Sequence, residues 1–119
     1  MMELTELEAK VLNCLEIKSA DHPATRTMLK ARTKDTDRAI RDAICHLRKK
    51  RKPIVSMSGK SGYFLAETPA QLAVFIGEMG ARARDIEETI DALTLTGVDM
   101  FGEDFIDVMY RRKWKDDVL

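Results

Sequence analysis

Arg38 and Arg41, three residues apart, have the types and spacing best suited to a specific chemistry. On a helix they stand about one turn apart, and each guanidinium can offer two parallel N–H donors to a paired acceptor such as guanine O6 and N7. Farther along the same stretch comes the run 48-RKKRK-52, in which Lys49, Lys50 and Arg51 suit phosphate oxygens. Thr25, Arg26 and Thr27 gather hydroxyls, backbone N–H groups and charge at a helix start, another phosphate-binding arrangement. Lys34 and Thr36 lie between these groups, and Lys60 sits in a Gly-rich turn. Asp42 interrupts the cations. It can pair with Arg38 four residues earlier or accept from cytosine N4, and the sequence leaves both open.

The other reactive side chains point to no catalysis. His22 precedes a proline, and His46 lies beside Cys45 on a helix, where adjacent residues diverge by about 100°. Neither histidine has metal-ligand spacing. Ser58–Gly62 reads as a hairpin turn and not as a phosphate loop, so no cofactor is implied. Cys14 is expected in the core. Cys45 falls on the basic face, where redox control is the sharper reading and a tolerated small residue the plainer one.

Net charge is zero over 119 residues, yet it is unevenly spread. Residues 24–66 carry twelve Lys and Arg against three acids, whereas residues 67–119 carry six against twelve. A polyanion responds to the local basic patch, and the acidic flanks repel it from other faces. A basic run can also be no more than a solvated face; here an organised helix accompanies it.

These groups need elements to position them. The stretch 5-TELEAKVLNCLEIK-18 reads as a helix with Thr5 as its cap and an apolar stripe of Leu4, Leu7, Val11, Cys14 and Leu15. A short helix follows over about Thr25–Ala31. The third, 36-TDRAIRDAICHLRKK-50, is the clearest. Ile40, Ala43, Ile44 and Leu47 recur at helical spacing and face a core. Arg38, Arg41, Asp42, Cys45 and Lys49 share the opposite face, and Pro53 is expected to stop the helix. Two β-prone segments, 54–57 and 63–66, flank the Gly-rich turn.

The order helix, helix, helix, hairpin resembles the winged helix-turn-helix superfamily, as found in the N-terminal domain of biotin-operon repressors and in small bacterial and phage regulators. Pro23-Ala24-Thr25-Arg26 is similar to the start of the second helix, Thr36 to Arg41 to the start of a recognition helix, and Ser58-Gly59-Lys60-Ser61-Gly62-Tyr63 to a wing tip with its return strand. The likeness covers residues 5–67. It implies a mainly α fold with a small β-hairpin, non-catalytic binding to double-stranded DNA, a wing that brings Lys60 to the backbone or minor groove, and a role in transcriptional regulation.

The rest of the chain is expected to hold a long helix over 68–96 and an amphipathic tail over 97–119, after a first domain of 1–67. Thr68, Pro69 and Gln71 read as its cap, first position and capping box. Leu72, Ile76, Met79, Ala83, Ile86, Ile90 and Leu93 alternate spacings of four and three, a coiled-coil seam. It suits a homodimer, which matches two-fold DNA half-sites, or a fold back onto its own domain. Phe75 lies just off the seam, suited to packing on the first domain. The tail has Phe101, Phe105, Ile106, Met109, Tyr110 and Trp114, and could complete a dimer core or dock another protein. The rival function on the same fold is therefore a protein-interaction module, such as a phage-type replication accessory or an inhibitor of a host protein. Two cysteines, no secretory signal and no apolar run long enough for a bilayer point to the cytoplasm and away from membranes.

Overall fold

Five helices and one small antiparallel sheet make up the computed structural model, which describes residues 3–57 and 61–111. The chain divides into two units after Gly77.

In the first unit, α1 (Glu6–Leu15) starts from a full capping box. Thr5 Oγ1 accepts from Glu8 N–H at 3.1 Å, and Thr5 N–H donates to Glu8 Oε1 at 3.0 Å. The helix ends at Leu15 and not Lys18, because Ser19 and His22 exchange backbone hydrogen bonds and turn the chain. α2 (Arg26–Thr33) runs two residues past expectation: Thr33 is buried, and its hydroxyl donates to Leu29 O at 2.7 Å. α3 (Asp37–Lys49) has the division anticipated from its spacing. Ile40, Ala43, Ile44 and Leu47 are buried, and Arg38, Arg41, Asp42, Cys45 and Lys49 are exposed. Its stop is not Pro53. Arg51 takes a left-handed φ of 68°, Arg51 N–H bonds Arg48 O, and Lys52 N–H bonds Leu47 O. This is a Schellman closure with arginine where glycine is usual.

β1 (Ile54–Val55) pairs antiparallel with β2 (Phe64–Leu65), Ile54 opposite Leu65 and Val55 opposite Phe64. Both strands are shorter than expected, but Tyr63 forms a further bridge with Ala24, just before α2. Strand alternation gives the sheet two working faces. Ile54 joins the core of Val11, Leu15, Leu29, Ile40, Ile44 and Leu47. Val55 and Phe64 pack instead with Phe75, from the start of α4 (Pro69–Phe101). Phe75 is thus buried beside the sheet, in the role its off-seam position suggested. Thr68 caps α4 by accepting from Gln71 N–H at 3.2 Å. Gln71 Oε1 reaches Glu67 N–H rather than the cap residue's own, so the expected capping box is displaced by one residue.

The second unit contains the rest of α4 and then α5 (Glu103–Arg111). α4 passes straight through Gly97, where a stop was expected, and ends at Gly102, which has φ 57° and donates to Val98 O at 2.9 Å. Gly97 has a different job. A Cβ there would run into the ring of Phe105, so the missing side chain lets α5 lie against α4. Thr94, Gly97, Phe101, Phe105 and Met109 line an open apolar groove of about 470 Å³ together with the neighbouring seam residues. Among the described residues no helix is long and apolar enough to cross a membrane. Trp114 and the residues after Arg111 lie outside the described residues.

Candidate nucleic-acid interface

Three residues, Lys34, Asp35 and Thr36, connect α2 to α3. Lys34 supplies the turn with a left-handed φ of 58° and donates its N–H to Lys30 O at 2.9 Å. Thr33 Oγ1 accepts from Asp35 N–H, and Asp35 Oδ1 accepts from Thr36 N–H at 3.1 Å. The connection therefore has its polar groups satisfied locally, and α3 leaves it in a fixed direction.

Thr25 and Thr36 both act as helix caps. Thr25 Oγ1 accepts from Met28 N–H, and Thr36 Oγ1 from Ala39 N–H, each at 3.1 Å. Capping uses a lone pair and leaves the hydroxyl proton available to an anion. Thr27 is exposed on the same turn as Thr25.

Arg26 and Asp37 join the two helix starts by a bidentate pair. Arg26 Nε donates to Asp37 Oδ1 at 3.0 Å and Nη2 to Oδ2 at 2.9 Å. Arg41 Nη1 lies 3.9 Å from the same Oδ2. The Arg26 hydrogen bond, reinforced by the charges of Arg26, Arg41 and Lys30, holds the Asp37 carboxyl below its usual range. Arg26 was expected to face phosphate. It is exposed, but its fork is already filled by Asp37, which makes it a brace between α2 and α3. Asp37, not Asp42, is the carboxylate that organises these arginines: among the described residues no ion pair joins Arg38 to Asp42. Arg38, Asp42 and the exposed thiol of Cys45 line the outer face with Lys49.

The 48–52 run separates into two populations. Arg48 and Lys50 turn inward; Lys49 and Arg51 are exposed. Arg48 Nε donates to Ile54 O at 2.8 Å, and its guanidinium lies 4.6 Å from the Phe75 ring centroid and 5.9 Å from that of Tyr63. A planar cation thereby ties α3 to β1, to the residue just before β2 and to α4. Lys50 was expected at phosphate. Its amine donates instead to Glu8 Oε1 at 2.6 Å and to Glu3 O at 2.8 Å. Glu8 is buried, and His46 Nδ1 stands 3.8 Å from its Oε2. The Lys50 hydrogen bond, then the Thr5 N–H bond, keep the Glu8 carboxyl below its ordinary value despite burial. Sequence spacing could not show this pair, whose members come from α1 and the end of α3. Lys60 lies outside the described residues.

Among the described residues of 24–57, the exposed cations that remain are Lys30, Arg32, Lys34, Arg38, Arg41, Lys49 and Arg51, on α2, the connection, α3 and the turn that closes it. Among the described residues no three His, Cys, Asp or Glu side chains are placed to hold a metal ion. Comparison of the chain with family profiles, with curated proteins and with solved structures returns no match in any of the three.

Proposed function

We propose that the first unit is a winged helix-turn-helix that binds double-stranded DNA sequence-specifically, and that the protein acts as a homodimeric transcriptional regulator. The observation that carries this reading is the two-sided character of α3. One face is locked into the core by Ile40, Ala43, Ile44 and Leu47, while the other holds Arg38, Arg41, Asp42 and Lys49 in solvent. A helix can read the major groove only if its back is anchored and its front carries donors. The three-residue connection and the Arg26–Asp37 brace support the same reading, because they fix α3 relative to α2.

On this reading Arg38 and Arg41 meet base edges from the N-terminal turns of α3, and Lys49 and Arg51 meet phosphates beyond them. Thr25, Thr27 and Lys34 hold the backbone on the α2 side, and β1 and β2 form the stem of the wing. Binding of the full chain to a DNA library, followed by fluorescence anisotropy at the selected site over a range of salt, tests it. Arg41→Ala is expected to lose about 1–3 kcal/mol at that site and to relax specificity there. Lys49→Ala should weaken all sequences alike and reduce the salt slope by about one. Affinity for duplex DNA that neither change alters would refute the proposal.

A further inference from the structure

The second unit holds almost no core of its own. Of the residues described in it, only Gly97 is buried, and that burial comes from Phe105. Met79, Ile86, Ile90, Leu93, Met100 and Phe101 are 43–68% exposed. The four-three spacing of the seam continues beyond Leu93 to Gly97 and Met100. Ile90, Leu93, Gly97 and Met100 also line the groove beside α5. As far as Leu93 the seam is apolar and uncovered within the described unit; at Gly97 it passes under α5, whose Phe105 ring fills the place of the missing side chain.

We infer that a second copy of this chain covers the exposed seam, with the two α4 helices parallel and in register from Met79 to Leu93. Three observations select that occupant and that direction. The first is the exposed face itself. Met79, Ile86, Ile90 and Leu93 together leave a continuous apolar face in solvent, and an identical copy presents the same face to it, which a two-fold pair buries on both sides. The second is periodicity: Met79, Ile86 and Leu93 occupy one core position of the heptad, and Ala83 and Ile90 the other. The third is charge. The positions flanking the core on one side are Arg82, Thr89 and Thr96; on the other they are Gly80, Glu87 and Thr94. A parallel pair sets each Arg82 against Glu87 of the other copy, five residues on, twice by symmetry. An antiparallel pair sets each flank against itself and never brings an arginine to a glutamate.

The inference rests on the dimeric reading above but not on DNA binding, so the test is run without DNA. The protein is the full chain carrying Cys45→Ser, which leaves only the buried Cys14. Ile86→Cys in that background should form an interchain disulfide in oxidised glutathione, because the same core position faces itself in a parallel pair. Glu88→Cys, on the outer side of the helix, should not. Arg82→Glu should raise the dimer dissociation constant at least tenfold in sedimentation equilibrium, and adding Glu87→Arg should restore it. All of these side chains are exposed or half-exposed, and circular dichroism checks that the helix survives. A wild type that is monomeric at tens of micromolar, equal cross-linking at positions 86 and 88, or a charge swap that fails to restore pairing overturns the inference. Loss of DNA binding by an intact parallel dimer would instead count against the proposed function alone.

Discussion

Replacing Lys50 by methionine separates the two roles a lysine at the end of α3 could play. Methionine keeps most of the aliphatic stem and removes the ammonium. Glu8, 3% exposed, then keeps Thr5 N–H and the more distant His46, but loses its closest cation, at 2.6 Å. An exposed pair would matter by at most about 1 kcal/mol. Breaking a fully buried one costs about 3–5 kcal/mol. The Lys50 side chain is 23% exposed and the Thr5 bond survives, so a loss of about 2–3 kcal/mol is expected. Glu8→Gln with Lys50→Met should recover part of that loss, since neither partner is then left charged and buried. Urea unfolding followed by circular dichroism measures both. The pH dependence has a definite sign. A carboxyl lowered in the folded state adds stability that is present above its unfolded value and is lost as pH falls through the folded one. The wild type should therefore weaken on acidification below about pH 4.5, and the double variant should weaken less over the same window. The proposed DNA binding gives the contrast: once folded, Lys50→Met should leave the salt slope unchanged, whereas Lys49→Ala should reduce it. Unaltered stability together with a shallower salt slope for Lys50→Met would refute this account and return Lys50 to the phosphate backbone.

Two further perturbations probe the first unit. Ile44, 1% exposed, lies at the centre of the core, and Ile44→Asp should cost more than about 4 kcal/mol and collapse the amide dispersion of residues 3–77 in NMR spectra. Gly62 has φ 109°, and a Cβ there would sit 2.5 Å from Ala24 O, so Gly62→Ala should cost about 2–3 kcal/mol in denaturant unfolding by disturbing the Ala24–Tyr63 bridge.

The parts of this protein that could be read from sequence are those written in local periodicity. α3 repeats its apolar residues at helical spacing, so its buried face was legible residue by residue. Thr5, Thr25, Thr36 and Thr68 are caps whose partners lie three residues on. What was not legible depends on partners distant in sequence. Lys50 and Arg26 look like free cations until α1 and α3 supply Glu8 and Asp37. The bridge from Ala24 to Tyr63 has no local signature. Gly97 reads as a helix end because glycine has low helix propensity, yet the ring of Phe105 demands it inside the helix. Arg51 shows the converse: a left-handed helix closure formed without the residue that usually announces it.

The Ala24–Tyr63 bridge also determines how the first unit comes apart. Ala24 N–H donates to Tyr63 O at 2.7 Å and Tyr63 N–H to Ala24 O at 2.9 Å, closing a loop of about forty residues that contains α2, α3 and β1. Helices form early on short loops, whereas a closure of this span forms late and, by the same path reversed, opens early. The Ala24 and Tyr63 amide protons should therefore exchange with solvent by sub-global opening, faster than those in the middle of α3. Once the bridge opens, the chain before α2 and the chain before β2 are no longer tied, so the two sides of the proposed DNA face part at that step. The first partially unfolded form to expect keeps α3 on its core and releases the Ala24–Tyr63 closure beside it.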